Sequence, residues 1–110
     1  MERLLIKDMP ITERPRERLL NYGVETLSNE ELIAIILRTG TKNESVKMLS
    51  SKILKELGSL NELKNITINR LIKIRGIGKI KAMELMTALE LGRRVYSFKQ
   101  IIMGEKMDNA

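Results

Sequence analysis

The chain is 110 residues long, with 20 Lys and Arg against 14 Asp and Glu, a formal net charge of +6 at pH 7, and 3% aromatic residues. It has neither cysteine nor histidine, which excludes disulfide staples, Cys/His metal sites and nucleophiles activated by histidine. No apolar run approaches the ~18 residues a membrane span needs, and the N-terminus lacks a signal-peptide profile, so the expectation is one small cytoplasmic domain without a membrane partner.

In chain order, Met1 to Met9 mixes Leu4, Leu5 and Ile6 with charges before Pro10, and reads as an N-terminal arm over 1–10. A helical domain is expected over 11–95. Its first helix lies between Thr12 and Gly23, with Pro15 suited to the first turn and Gly23 to the end. Arg14, Arg16 and Arg18 alternate there with Glu13 and Glu17, which favours a solvated surface over a phosphate contact. Ser28 and Glu31 have the spacing of a capping box, opening a helix through Leu32, Ile33, Ile35, Ile36 and Leu37 that is apolar nearly all round and therefore central. After Arg38-Thr39-Gly40-Thr41, a helix starting at Asn43 or Ser45 carries Val46, Leu49, Ile53 and Leu57 on one face and stops at Gly58. Ser59 and Glu62 repeat the capping spacing for a short turn.

Thr67 or Asn69 begins a helix that brings Leu71 and Ile74 inward. The last long helix starts near Gly78, has an inward stripe of Ala82, Leu85, Met86 and Leu89, and is expected to weaken at Gly92 and end about Arg94. Met83 and Met86 read as core filler. Residues 96–110 read as a tail or linker, polar and disordered from Gly104. The fold class is all-α, a compact bundle of five or six short helices.

Between the last two helices stands Ile74-Arg75-Gly76-Ile77-Gly78-Lys79-Ile80-Lys81-Ala82. Its glycines allow a sharp turn and a close approach. The helix that follows begins with N–H groups that have no partner inside it, at the positive end of its dipole, where an anion fits. Ile77 reads as a plug between the two helices. Lys79 and Lys81 add charge beside the amides, with Lys73 and Arg75 on the approach side. An ordinary tight turn is the competing reading. Residues 67–99 hold eight Lys or Arg against Glu84 and Glu90, a net +6, so the rest of the chain is neutral; this asymmetry points a polyanion at the C-terminal half. The helices around Arg38 to Thr41 repeat the order of those around Arg75 to Gly78, and whether this is a duplication is left open.

Ile74 to Ala82 resembles the helix-hairpin-helix motif, with Arg75 where proline is frequent. The resemblance implies that the amides of Gly76, Gly78 and Lys81 hold a backbone phosphate without reading bases. It also implies that K+ or Na+ can bridge hairpin and phosphate through the carbonyls of Ile72, Ile74 and Ile77. The bundle would then contain one clear helix-hairpin-helix and, if the first pair is a duplicate, a degenerate second.

Over residues 9–95 the segments Met9-Pro10-Ile11, Arg14-Pro15-Arg16-Glu17-Arg18-Leu19-Leu20, Leu27 to Leu32, Leu37-Arg38-Thr39-Gly40 and Ala88 to Arg94 are similar to the N-terminal region of RadC-family proteins. That resemblance implies association with DNA repair and a separate C-terminal JAB/MPN-type domain with a His-x-His and Asp zinc site, which this chain lacks.

The leading expectation is a non-catalytic, sequence-nonspecific DNA-binding module whose contacts are Lys73, Arg75, Gly76, Ile77, Gly78, Lys79 and Lys81, with no catalytic residues and no metal beyond the alkali ion. The alternative is a protein-interaction or scaffold domain serving the metal-dependent domain or another protein partner. An enzyme is disfavoured. Glycosylases with a similar hairpin place an essential Asp beyond it, and here no Asp occurs between Asp8 and Asp108. Tyr22, Tyr96 and Phe98 read as packing residues rather than base-stacking ones.

Overall fold

The structure, a computed structural model, describes the backbone of residues 14–108 and the side chains of residues 14–97. The arm expected over 1–10 lies outside the described residues. Among the described residues five α-helices follow one another: α1 (Pro15–Tyr22), α2 (Asn29–Leu37), α3 (Val46–Leu57), α4 (Ile68–Ile72) and α5 (Lys79–Asp108). Short 3-10 helices, Val24–Thr26 and Leu60–Asn65, join α1 to α2 and α3 to α4. No strand occurs among the described residues, and the fold is all-α.

Local chemistry sets the helix ends. Pro15 occupies the first turn of α1, and Gly23 closes it at φ 93°, a value that suits a residue without Cβ. The Ser28/Glu31 capping box forms in both directions: the Glu31 N–H donates to Ser28 Oγ at 3.1 Å and the Ser28 N–H to Glu31 Oε1 at 3.0 Å. Ser45 caps α3 by accepting from the Met48 N–H, and Thr67 caps α4 by accepting from the Arg70 N–H, both at 3.1 Å.

The second capping spacing does not form. Ser59 makes no side-chain cap bond; its carbonyl instead accepts from the Glu62 N–H at 3.2 Å, the three-residue reach that makes this segment a 3-10 helix. At the other end of the chain, α5 runs through Gly92 and Gly104 to Asp108, beyond the stop expected near Arg94 and into the segment read as disordered. One glycine costs a helix only about 1 kcal/mol. Glu90 lies beside it with i,i+3 and i,i+4 ion pairs to Arg93 and Arg94 at 2.7 and 2.8 Å, spacings that favour the helix.

The core lies where α2, α3 and α5 meet. Leu37, Leu49, Ile53, Leu71, Ala82 and Leu85 are each no more than 1% exposed, and Met86 and Leu89 pack against them half-buried. Helix α2 packs against both α3 and α5, and α4 against α5, so the α4–α5 turn is held on a rigid base. Met83, expected in the core, is half exposed: it falls on the outward side of the stripe set by Ala82, Leu85 and Leu89. Tyr22 and Tyr96 are also exposed rather than packed. Tyr22 receives the Arg18 guanidinium 5.8 Å from its ring centre.

Candidate functional site

The α4–α5 turn is built by short-range backbone bonds. The Ile74 N–H donates to the Leu71 carbonyl and the Ile77 N–H to the Ile74 carbonyl, both at 3.0 Å. Gly76 sits at φ 97°, and a Cβ there would lie 2.6 Å from Leu49 Cδ2, so the turn presses directly on α3. Ile77 is the expected plug, 3% exposed and part of the core. Gly78 has a different role. Its φ is outside the left-handed region, and a Cβ built on it would meet nothing within 4 Å.

The α5 start is therefore open on its Gly78 side. The first i to i−4 bond of α5 runs from the Ala82 N–H to the Gly78 carbonyl at 3.0 Å, which leaves the N–H groups of Gly78 to Lys81 ahead of the helical ladder. At the corresponding place in the α2–α3 loop, side chains satisfy the amides. Thr41 Oγ1 accepts from the N–H groups of Asn43 and Glu44 at 3.2 and 3.1 Å, and Ser45 supplies the cap. A Cβ at Gly40 would collide with the Glu44 carbonyl oxygen, so that loop is closed on itself. A glycine at the head of α5 has no oxygen with which to do the same.

Among the expected contacts, Arg75, Gly76, Ile77, Gly78 and Lys79 come together at the turn, with Lys73 just before it at the end of α4. Arg75 and Lys79 are exposed. Lys81 departs from this arrangement. Its ammonium turns away from the amides and donates to the Leu37 carbonyl at 3.0 Å and Thr39 Oγ1 at 3.1 Å, binding the C-terminus of α2. Burial lowers its pKa from the ordinary lysine value, the nearby Arg38 adds to the lowering, and Glu84 opposes it. Arg38 itself pairs with Glu84 at 2.8 Å. Across the turn, the Lys52 ammonium donates to the Arg75 carbonyl at 3.2 Å and pairs with Glu44 at 2.7 Å. Each hairpin is thus held by a lysine from the other.

The charge distribution differs from the one the chain order suggests. Glu90 takes both Arg93 and Arg94, and hydrogen bonds from these two guanidiniums hold its carboxyl at about 2. Those two cations share one carboxylate, which halves their net charge, and Lys81 faces inward. Lys52 and Lys55, which belong to the part of the sequence that is neutral overall, join the turn from α3 and line a cleft with Arg70, Lys73 and Arg75. Their i,i+3 spacing was the one sequence signal available. No group of three Asp or Glu side chains that could hold a metal occurs among the described residues, and none of the described helices is long and apolar enough to cross a membrane.

Residues 6–83 match the UPF0758 N-terminal family. A UPF0758 protein of Bacillus licheniformis is 56% identical over 92 residues, covering 84% of this chain and 41% of the relative. A UPF0758 protein of Clostridium botulinum (strain Hall) is 52% identical over 94 residues, covering 86% of this chain and 41% of the relative. The chain thus spans about two fifths of the length of these curated relatives. No solved structure gives a significant match. With more than half its length matched to that family and more than half of the aligned positions identical in a relative, this chain belongs to the UPF0758 family, whose N-terminal domain is the RadC-type pattern read from the sequence.

Proposed function

We propose that this domain is a non-catalytic DNA-binding module of low sequence specificity that seats a backbone phosphate at the Arg75–Lys81 turn. The observation that carries the reading is the open glycine cap of α5: amides ahead of the ladder, no side chain at Gly78 to satisfy them, and free space where its Cβ would stand. Phosphate oxygen is the natural complement of such amides, and the exposed Arg75 and Lys79 add counter-charge. In this reading the ammonium of Lys81 contributes nothing, although its amide does. An alkali ion, K+ or Na+, fits the same scheme: the carbonyls of Ile72, Ile74 and Ile77 would hold it, and it would bridge the turn to the phosphate. Association with DNA repair belongs to the same proposal and rests on the RadC-type pattern.

A single seat implies weak, salt-sensitive binding, with Kd on the order of 10⁻⁴ to 10⁻⁶ M at physiological salt. The decisive experiment is an NMR titration with a short DNA duplex and with a single strand. Shifts concentrated at the amides of Gly76 to Lys81 are expected. Gly78→Ala combined with Lys79→Glu should abolish them while the circular dichroism stays unchanged, because the alanine methyl has room in the fold but stands in the seat. Binding by that variant equal to the parent overturns the proposal.

A second reading is supported by a different surface. Leu91, Val95 and Tyr96 are all more than 60% exposed on α5, as a helix docked against a protein partner would present them. A domain with that role would give no DNA shift at low salt.

A further inference from the structure

We infer that the cleft between α3 and α4 is a second phosphate site, so that a nucleic-acid strand held at the hairpin continues over α3. Lys52 and Lys55 stand three residues apart on α3. Facing them are Arg70 of α4 and Lys73, again three apart, with Arg75 at the end next to the hairpin. The cleft measures about 430 Å³ and is lined by one acid, Glu56.

Two of these cations are fixed in place. The Arg70 Nη2 donates to the Glu56 carbonyl at the end of α3, at 3.3 Å, which leaves the rest of its guanidinium fork for an anion. The Lys52 ammonium is tied to Glu44 and to the Arg75 carbonyl, which joins the cleft wall to the turn. The other three are uncompensated: Lys55, Lys73 and Arg75 make no ion pair among the described residues. Elsewhere Arg18, Arg38, Arg93 and Arg94 each have a carboxylate partner. The cleft thus gathers three unmatched cations beside the hairpin, one of them, Lys55, on a helix that sequence order separates from it.

A strand of regularly spaced phosphates is the polyanion that suits this layout. Ile74 is the one apolar residue among those that line the cleft, so charge rather than a side-chain pocket would hold the ligand, as suits a phosphate backbone more than a peptide with an apolar anchor. This inference rests on the hairpin reading only in taking nucleic acid as the ligand.

The test is fluorescence anisotropy of the full chain with a labelled 20-base-pair duplex, measured across a salt series. Two variants are compared, Lys55→Gln/Arg70→Gln for the cleft and Gly78→Ala/Lys79→Glu for the hairpin, with poly-glutamate as competitor. The cleft variant should keep its helicity, bind about tenfold more weakly near 50 mM salt and lose about 1.8 from the slope of log K against log salt, the signature of two missing phosphate contacts. An unchanged slope in the cleft variant, with binding lost in the hairpin variant, overturns the second site and leaves the hairpin reading standing. Full binding by the hairpin variant with the slope reduced in the cleft variant supports the cleft and removes the hairpin. Displacement of the duplex by poly-glutamate at equal charge concentration overturns the phosphate assignment.

Discussion

Gly76 and Gly78 look equivalent in the sequence, two glycines bracketing one isoleucine, yet they serve opposite ends. Gly76 is needed by the fold: it adopts φ 97°, and its missing Cβ makes room for Leu49. Gly78 is free of the fold, with ordinary backbone and open space around it. Gly76→Ala should therefore lower stability by about 2 kcal/mol or more, from a left-handed alanine combined with a clash against a core leucine. Gly78→Ala should change stability by less than about 0.5 kcal/mol. Urea denaturation of the two variants checks both, and equal midpoints would show that the glycines are not divided in this way. The turn itself was legible from residue spacing, as was the burial of Ile77 between its helices. The division of labour was not, because it depends on Leu49, which lies 27 positions before Gly76 in the chain, and no local pattern records that contact.

At the scale of elements, helix starts were the most readable part of the chain wherever a hydroxyl side chain makes the cap. Ser28 acts as its position suggests, and where the sequence left Asn43 or Ser45 and Thr67 or Asn69 open, the caps are Ser45 and Thr67. Ser59 has the same spacing and fails, because the Glu62 N–H that its hydroxyl would accept from donates instead to the Ser59 carbonyl. The α2 cap also carries a pH dependence. Burial of Glu31 raises its pKa, but hydrogen bonds from the Ser28 backbone and side chain and the Arg18 guanidinium at 2.7 Å outweigh it, leaving a net lowering below 4.5. A carboxyl whose folded pKa is depressed stabilises the fold fully above its unfolded pKa, and that contribution disappears as pH falls through the folded value. The parent should accordingly lose more stability than Glu31→Gln between about pH 5 and about pH 3, since glutamine keeps an acceptor for the Ser28 N–H but has no proton to gain. Thermal melts of both proteins across that window check it; parallel curves would assign the acid sensitivity to other carboxylates.

For the molecule as a whole, what mattered most was how the two helical pairs are fastened, and this was nearly invisible in the sequence. Lys79 and Lys81 stand one and three residues after Gly78 on the first turn of α5 with the same charge, and charge and proximity alone gave them one role. A helix separates residues two apart by about 200° around its axis, and here that rotation sends Lys79 outward and Lys81 onto the Leu37 carbonyl and Thr39. Lys81 thereby caps the C-terminus of α2, where a cation is favoured, and, together with the Arg38–Glu84 pair, holds the first loop against the second. Methionine substitution separates the two roles, since it keeps the apolar stem and removes the ammonium. Lys81→Met should cost about 1–2 kcal/mol, from two hydrogen bonds by a charged donor, one lost at the part-buried Leu37 carbonyl and one at the exposed Thr39 hydroxyl. It should also speed hydrogen exchange at the end of α2 and leave DNA affinity nearly unchanged. Lys79→Met should leave stability within about 0.5 kcal/mol of the parent and weaken DNA binding, reducing the salt slope by about 1. Each variant therefore needs both a denaturation curve and a binding isotherm. If Lys81→Met weakened binding as much as Lys79→Met while leaving the fold as stable as the parent, the Lys81 ammonium would belong to the phosphate seat after all, and the fastening of the two hairpins would have to come from Lys52 and the Arg38–Glu84 pair alone.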